Sequence, residues 1–364
     1  MGKVEVDPAE ARRIRHHGQQ VAAHPHQFGG GTGRMVEAAE QLLPPGFGGM
    51  HDAIEGGGIA GLGIGGGGGG HLGRVDLDFA HLFASWFNRG FLVLRQITWE
   101  SPARLLEKII GYEAVHEIGD WEALRARIDP PDRRCFAFFH PAMPDEPLIF
   151  VQVALVKGLP GSVQAILDPD RPVLDPATAD TATFYSISNC QAGLKGISFG
   201  NSLIKHVVEL LRQEFPHLKT FVTLSPIPGL ARWLSETGAA LPTDPAEALA
   251  LRQQAARYLL EAKRGDGRPR DPVARFHLNN GARVYEVHAG ADLSPRGLRQ
   301  SCGAMVNYHY DPETAEEAHE EYARNGAVAA TRGVRGLARA AVEAAAQTRG
   351  QTRAQARKER LADG

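Results

Sequence analysis

Between residues 184 and 234 the sequence FYSISNCQAGLKGISFGNSLIKHVVELLRQEFPHLKTFVTLSPIPGLARWL changes its hydrophobic period three times. Residues 184–188 read as a strand, and Gly193, Gly196 and Gly200 follow as a loop. Leu203, Ile204, Val207, Val208, Leu211 and Phe215 then recur at helical spacing. Residues 219–224 are apolar again, and Ser225-Pro226-Ile227-Pro228-Gly229 stops them, because two prolines remove the amide donors a ladder needs. A strand–helix–strand unit of this kind predicts an α/β chain with neighbouring parallel strands. In such sheets ligands lie outside the carboxyl ends of the strands, and free amides at a helix N-terminus hold anions. Ser225 therefore places a hydroxyl where chemistry tends to be done.

The rest of the chain narrows the class. Its 364 residues allow two or three domains and a sizeable core. A formal charge of -2 provides no field for a polyanion, so nucleic acid is not an expected partner. No run of about 18 apolar residues occurs, so no membrane span is expected. Cys135, Cys190 and Cys302 are widely spaced and form neither a disulfide framework nor a zinc pattern. With an N-terminus lacking an apolar core, this predicts a cytoplasmic protein. Neither H-E-x-x-H nor C-x-x-C is present, and no metal is expected.

Residues 1–75 are rich in His and Gly and culminate in GGGIAGLGIGGGGGG at 56–70, a tract whose backbone entropy argues for a flexible segment. A helix is expected over 77–87, within a helical connecting segment at 76–132. There Ser101-Pro102 reads as an N-cap and first helical residue, with Leu105, Leu106, Ile109 and Ile110 facing inward, and a second helix spans 121–128. Residues 135–140 and 147–157 read as a strand pair joined by a long proline-rich turn, HPAMPDEP. Helices are expected at 245–263 and 272–278, and strands at 283–287 and 304–309. Residues 313–364 form a helical tail, which Gly326, Gly333 and Gly336 interrupt.

Taken by themselves, the candidate residues have plain readings too. Lys195, Gly196, Ile197, Ser198, Phe199, Gly200 and Asn201 form either a strand-to-helix turn or a cradle of amides for phosphate. Ser225 can equally cap a short helix starting at Pro226. No G-x-S-x-G elbow marks it as a hydrolase nucleophile. His277, in FHLNNGA, is one of fifteen histidines, and Tyr310 reads as a half-buried strand aromatic. Asn307 and Arg296 are weaker candidates.

Six blocks in order tip these choices: WFNRGFLVLR, RRCFAFFHPAMPDEPLIFVQVAL, FYSIS with the glycine loop, LSPIPG, FHLNNGA and SPRGLRQSCGAMVNYHYDP. From about Trp86 to Pro312 the chain resembles the malonyl-CoA decarboxylase family. That resemblance implies a GNAT-like mixed sheet flanked by helices, with the catalytic domain at 133–312. The resemblance also implies an N-terminal helical domain used for assembly, which residues 1–75 are expected to carry only in truncated or replaced form, so a homo-oligomer is possible but not implied. The resemblance maps Ser225 and His277 onto the catalytic pair, with Tyr310 beside them. It assigns residues 195–201, with Ser225 and His277, to binding malonyl-CoA or acetyl-CoA. Decarboxylation of a malonyl thioester needs no cofactor, because the thioester carbonyl itself accepts the electrons as CO2 leaves. It does need a proton donor, expected to be His277 with a pKa near neutral. An acyl-CoA-dependent N-acetyltransferase and a non-catalytic acyl-CoA-binding protein are the alternatives.

Overall fold

A computed structural model describes residues 92–191, 199–238 and 248–362. Gln191 aside, all of them fall in one compact body. The glycine-rich tract, the expected helix at 77–87 and residues 195–198 of the glycine loop lie outside the described residues.

The centre is a mixed sheet of eight strands: β1 (Val93–Ile97), β2 (Arg133–His140), β3 (Met143–Val156), β4 (Thr181–Asn189), β5 (Thr220–Thr223), β6 (Ser225–Pro226), β7 (Arg283–His288) and β8 (Met305–His309). Their order is β1-β2-β3-β4-β5-β8-β6, with β7 on the other side of β8. Only β4 and β5 run parallel. The connection between them carries α4 (Phe199–Glu214), as the change of period in the sequence predicts. Leu203, Ile204, Val207 and Leu211 on α4 are 0 % exposed, so its apolar stripe is fully spent against the sheet.

Two helices near the start cover another part of the sheet. On α1 (Ala103–Tyr112), Leu105, Leu106 and Ile109 pack with Leu124 and Ile128 of α2 (Trp121–Ile128) onto Ile97, Cys135, Ala137, Phe139 and Phe150. Burying side chains of this size stabilises the fold by about 1.5–3 kcal/mol each. Asp120 caps α2 by accepting from the Ala123 amide at 2.7 Å. Short α3 (Val163–Leu167) joins a second cluster with Tyr185, Leu224, Ala291 and Met305.

Several expectations need correcting. The Ser101-Pro102 entry is shifted by one residue: Pro102 itself holds the capping position, and Ser101 Oγ instead accepts from the Thr98 amide at 3.0 Å. HPAMPDEP is not a long turn. Strand β3 already begins at Met143, and His140 pairs with Met143. Register shifts after Phe138 and Phe139 accommodate Pro144 and Pro147, as bulges relieve the ladder of donors a proline lacks. In the tail, Gly326 ends α9 (Ala315–Asn325) in a left-handed conformation, with φ of 66°. Gly333 and Gly336 lie inside α10 (Arg332–Ala362) and do not interrupt it. The other helices, α5 (Leu230–Thr237), α6 (Ala248–Glu261), α7 (Pro272–Asn279) and α8 (Pro295–Ser301), follow the second half of the sheet.

Candidate active site

Thr223 closes β5, and Ser225, two residues on, begins the two-residue β6 that pairs with Val306 and Met305 of β8. Ser225 does not cap a helix at Pro226, since α5 starts only at Leu230. The prolines end the β5 ladder and turn the chain, so the serine side chain is left beside Thr223, to whose Oγ1 it donates at 2.8 Å. Thr223 Oγ1 also accepts from the Tyr308 amide at 3.2 Å, and the Asn307 side chain donates to the Thr223 carbonyl at 2.8 Å. Strand β8 thus fixes the end of β5 through a side chain where the ladder lacks a main-chain bond.

His277 arrives on α7. Asp271 caps that helix, accepting from Val273 and Ala274 at 2.9 Å, and Pro272 follows at the first helical position. Asp271 is fully buried, and burial pushes its carboxyl up to about 6. Its other oxygen lies 3.4 Å from the Gly229 amide, in the turn that follows Ser225. In the last turn of α7 the His277 imidazole places Nε2 3.0 Å from Ser225 Oγ and Nδ1 2.8 Å from the Tyr310 hydroxyl. The ring stacks on Tyr308, with centroids 4.4 Å apart and planes 24° apart. Tyr310 is held just beyond β8 by its amide, which donates to the Phe221 carbonyl at 2.9 Å.

The three sequence candidates therefore meet in one hydrogen-bonded chain. Ser225 is 5 % exposed, His277 3 % and Tyr310 4 %. Among the described residues no carboxylate touches the imidazole, and burial pushes it down to about 3. The expectation of a near-neutral pKa for His277 does not hold: the ring is neutral at physiological pH. Burial also pushes the Tyr310 phenol far above its usual range, so the whole chain is uncharged.

Other candidates divide. Asn307 is fully buried and serves as the strut just described. Arg296 is exposed on α8 and donates to the Ala114 carbonyl, away from the chain. Phe199, Gly200 and Asn201 form the first turn of α4, whose amides have no partner four residues back. Lys195, Gly196, Ile197 and Ser198 lie outside the described residues. A cavity of about 570 Å³ between α4 and α9 is lined by Tyr310 but not by Ser225 or His277. Thr223 and Tyr308 were not singled out by the sequence. Only the period of two, which puts Thr223 on the same side as Ser225, points to the first. No group of three or more potential metal ligands occurs among the described residues.

The family model for the malonyl-CoA decarboxylase C-terminal domain matches residues 90–253 and 242–349. Solved malonyl-CoA decarboxylases from Agrobacterium vitis and Rhodopseudomonas palustris are each 52 % identical to the chain. The first superposes with a TM-score of 0.67 over 73 % of this chain and 72 % of that one. The second does so at 0.66 over 73 % and 71 %. Mitochondrial malonyl-CoA decarboxylase of Anser anser anser is 36 % identical over 285 residues, which are 66 % of this chain and 56 % of the relative. The chain thus spans about half the length of the curated relatives it matches. Ser225, His277 and Tyr310 all lie inside the family match, and the chain belongs to the malonyl-CoA decarboxylase family.

Proposed function

We propose that the chain is a carboxy-lyase that converts malonyl-CoA to acetyl-CoA and CO2 on the Ser225–His277 pair. The observation that carries this reading is the buried, uncharged chain from Tyr310 through His277 to Ser225 at the end of β5, in a chain of this family. The nucleotide handle of the thioester would rest on residues 195–201, which lead into the first turn of α4, and residues 133–312 would form the catalytic domain. In the reaction the bond from the α-carbon to the carboxylate breaks, and its electrons pass to the thioester oxygen. The enolate is then quenched by a proton on the α-carbon. Each turnover therefore consumes one proton from solvent.

His277 donates that proton, and Ser225 is its hydrogen-bonded partner and proton acceptor, contacting the malonyl carboxylate or thioester. Tyr310 supports the imidazole. The low-dielectric setting favours this chemistry, because a carboxylate stripped of water gains more by becoming neutral CO2 than it would in bulk, and donors at the enolate oxygen count for more. A bound malonyl carboxylate would also raise the imidazole's proton affinity at the moment a donor is needed. No helix among the described residues is long and apolar enough to cross a membrane. We place the protein in the cytoplasm, where its three unpaired cysteines would remain reduced.

Headspace CO2 with malonyl-CoA as sole substrate tests the reading. CO2 and acetyl-CoA should appear in equal amounts. Acetyl transfer to an amine without CO2, or binding without turnover, would replace it with one of the two rival activities. Lys195→Ala should weaken malonyl-CoA and acetyl-CoA equally, since both share the handle.

A further inference from the structure

The two reacting side chains ride on separate elements. Ser225 begins β6 and His277 sits in the last turn of α7, 52 positions away in the chain, yet their polar atoms lie 3.0 Å apart. Pro226 and Pro228 stiffen the turn after Ser225, so Gly229 at its end moves with the serine. The helix is stiff too. Its first turn moves with His277, which lies about 9 Å further along the axis at about 1.5 Å per residue. A tie between Gly229 and the start of α7 therefore bears directly on the distance between the pair.

Asp271 makes that tie. It is 0 % exposed, and its carboxylate reaches both elements: Oδ1 accepts from the Val273 and Ala274 amides at 2.9 Å, and Oδ2 from the Gly229 amide at 3.4 Å. Capping α7 does not by itself call for a carboxylate, since serine or asparagine caps a helix as well and costs less to bury. Among the described residues no ion pair offsets the charge. Arg275, on the same helix, directs its guanidinium to the carbonyls of Pro269 and Arg270 at 2.9 and 2.7 Å. What aspartate has and those capping residues lack is a pair of acceptor oxygens that can face two elements at once. Asparagine here would turn a donor onto the Gly229 N–H, and serine has a single oxygen to offer. The ion pair of Arg270 with Glu236 joins the same two segments, but at the surface, where water and salt screen it.

We infer that Asp271 is a positioning residue for the decarboxylation: its two oxygens, one on the first turn of α7 and one on the Gly229 amide, hold His277 and Ser225 at the separation that proton transfer needs. It bonds to neither of the two side chains itself and acts only through the elements that carry them. The inference rests on the decarboxylase reading for its effect on turnover. The bridge is a property of the protein alone.

Asp271→Asn and Asp271→Ser test it in the full chain, because each keeps a capping acceptor and loses the second arm. Both should lower kcat for CO2 release about tenfold, short of the roughly 100-fold of losing an acid–base group, with KM for malonyl-CoA within about twofold. Glu113→Gln, weakened in a different network, is the control for lost stability and should keep its kcat. Amide proton shifts of the nitrogen-15-labelled wild type test the bridge without any variant. Those of Gly229, Val273 and Ala274 should move together as the carboxyl, which burial pushes up to about 6, takes its proton. Around it, Arg275 of α7 and the phenols of Tyr258 on α6 and Tyr308 on β8 keep one charge state in that range. A Gly229 signal that stays still while the other two move would overturn the proposal even if neither variant folds. So would folded variants that lose no more turnover than Glu113→Gln. If the wild type releases no CO2, the decarboxylase reading falls, and the three amide signals still decide whether the bridge exists.

Discussion

Two polar networks sit on this sheet, built on opposite plans. One surrounds Glu113, just past α1. Its carboxylate accepts from the amides of Val115 and His116, from both Ser186 and Ser188, and from Gln152. The other runs through Tyr310, His277, Ser225 and Thr223. Alternation sends Leu224 toward the cluster with Ala154 and Tyr185, and Thr223 and Ser225 away from it. The Glu113 network gathers several donors onto one side chain, whose two oxygens only receive them. The serine–histidine network has no charge, and each hydroxyl and ring nitrogen can both receive and give. The first arrangement is a clamp around a half-buried carboxylate, and the second a conduit that is fully buried.

The largest difference should appear in acid. His277 is held near 3 in the folded chain and reverts to about 6.5 when unfolded, so the unfolded state binds a proton that the folded state refuses. Its contribution is complete above about pH 6.5 and is lost as pH falls toward 3. Asp271 acts in the other direction, because its raised carboxyl takes up a proton while still folded and adds stability as pH falls from about 6 toward 4. His277→Asn isolates the first effect. Urea midpoints at pH 7 and 4.5 should show the wild type losing about 3 kcal/mol more than the variant over that interval, from about 1.4 kcal/mol per pH unit. Equal losses would mean the imidazole is not held neutral by burial.

Glu113→Gln sharpens the contrast from the other network. One acceptor becomes a donor facing donors, and stability at pH 7 should fall by about 2 kcal/mol, as for hydrogen bonds to a charged group. CO2 released per folded molecule should stay within about twofold. A large loss of turnover at unchanged stability would show that the clamp belongs to the chemistry. Gly229→Ala should give the smallest effect. A Cβ there would lie 2.0 Å from the Tyr258 hydroxyl, so the turn after Ser225 must shift, costing about 1–2 kcal/mol. Adding Tyr258→Phe should recover most of that loss, and no recovery would place the strain elsewhere.

The parts of the molecule legible from sequence were those with a strong period. The β4–α4–β5 unit is readable because residues 203–211 repeat at helical spacing between two apolar runs. The hairpin was misread because prolines that normally mark turns here occupy bulges, which only pairing with Phe139 and His140 reveals. Ser225, His277 and Tyr310 were found through family blocks; local rules alone favoured a helix cap and ordinary aromatic or surface positions. Thr223 and Glu113 left no mark, since their significance lies in partners 39 to 85 positions away, and a linear pattern does not encode those distances.

The central claim is that one serine hydroxyl and one neutral imidazole, 3.0 Å apart, perform the decarboxylation. The most direct measurement is the initial rate of CO2 release from malonyl-CoA by the wild type, Ser225→Ala and His277→Ala, each checked for wild-type acetyl-CoA binding. Both variants should fall by about 100-fold or more, the scale for losing an acid–base group. Full activity in either, with the fold and acetyl-CoA affinity intact, would contradict the account.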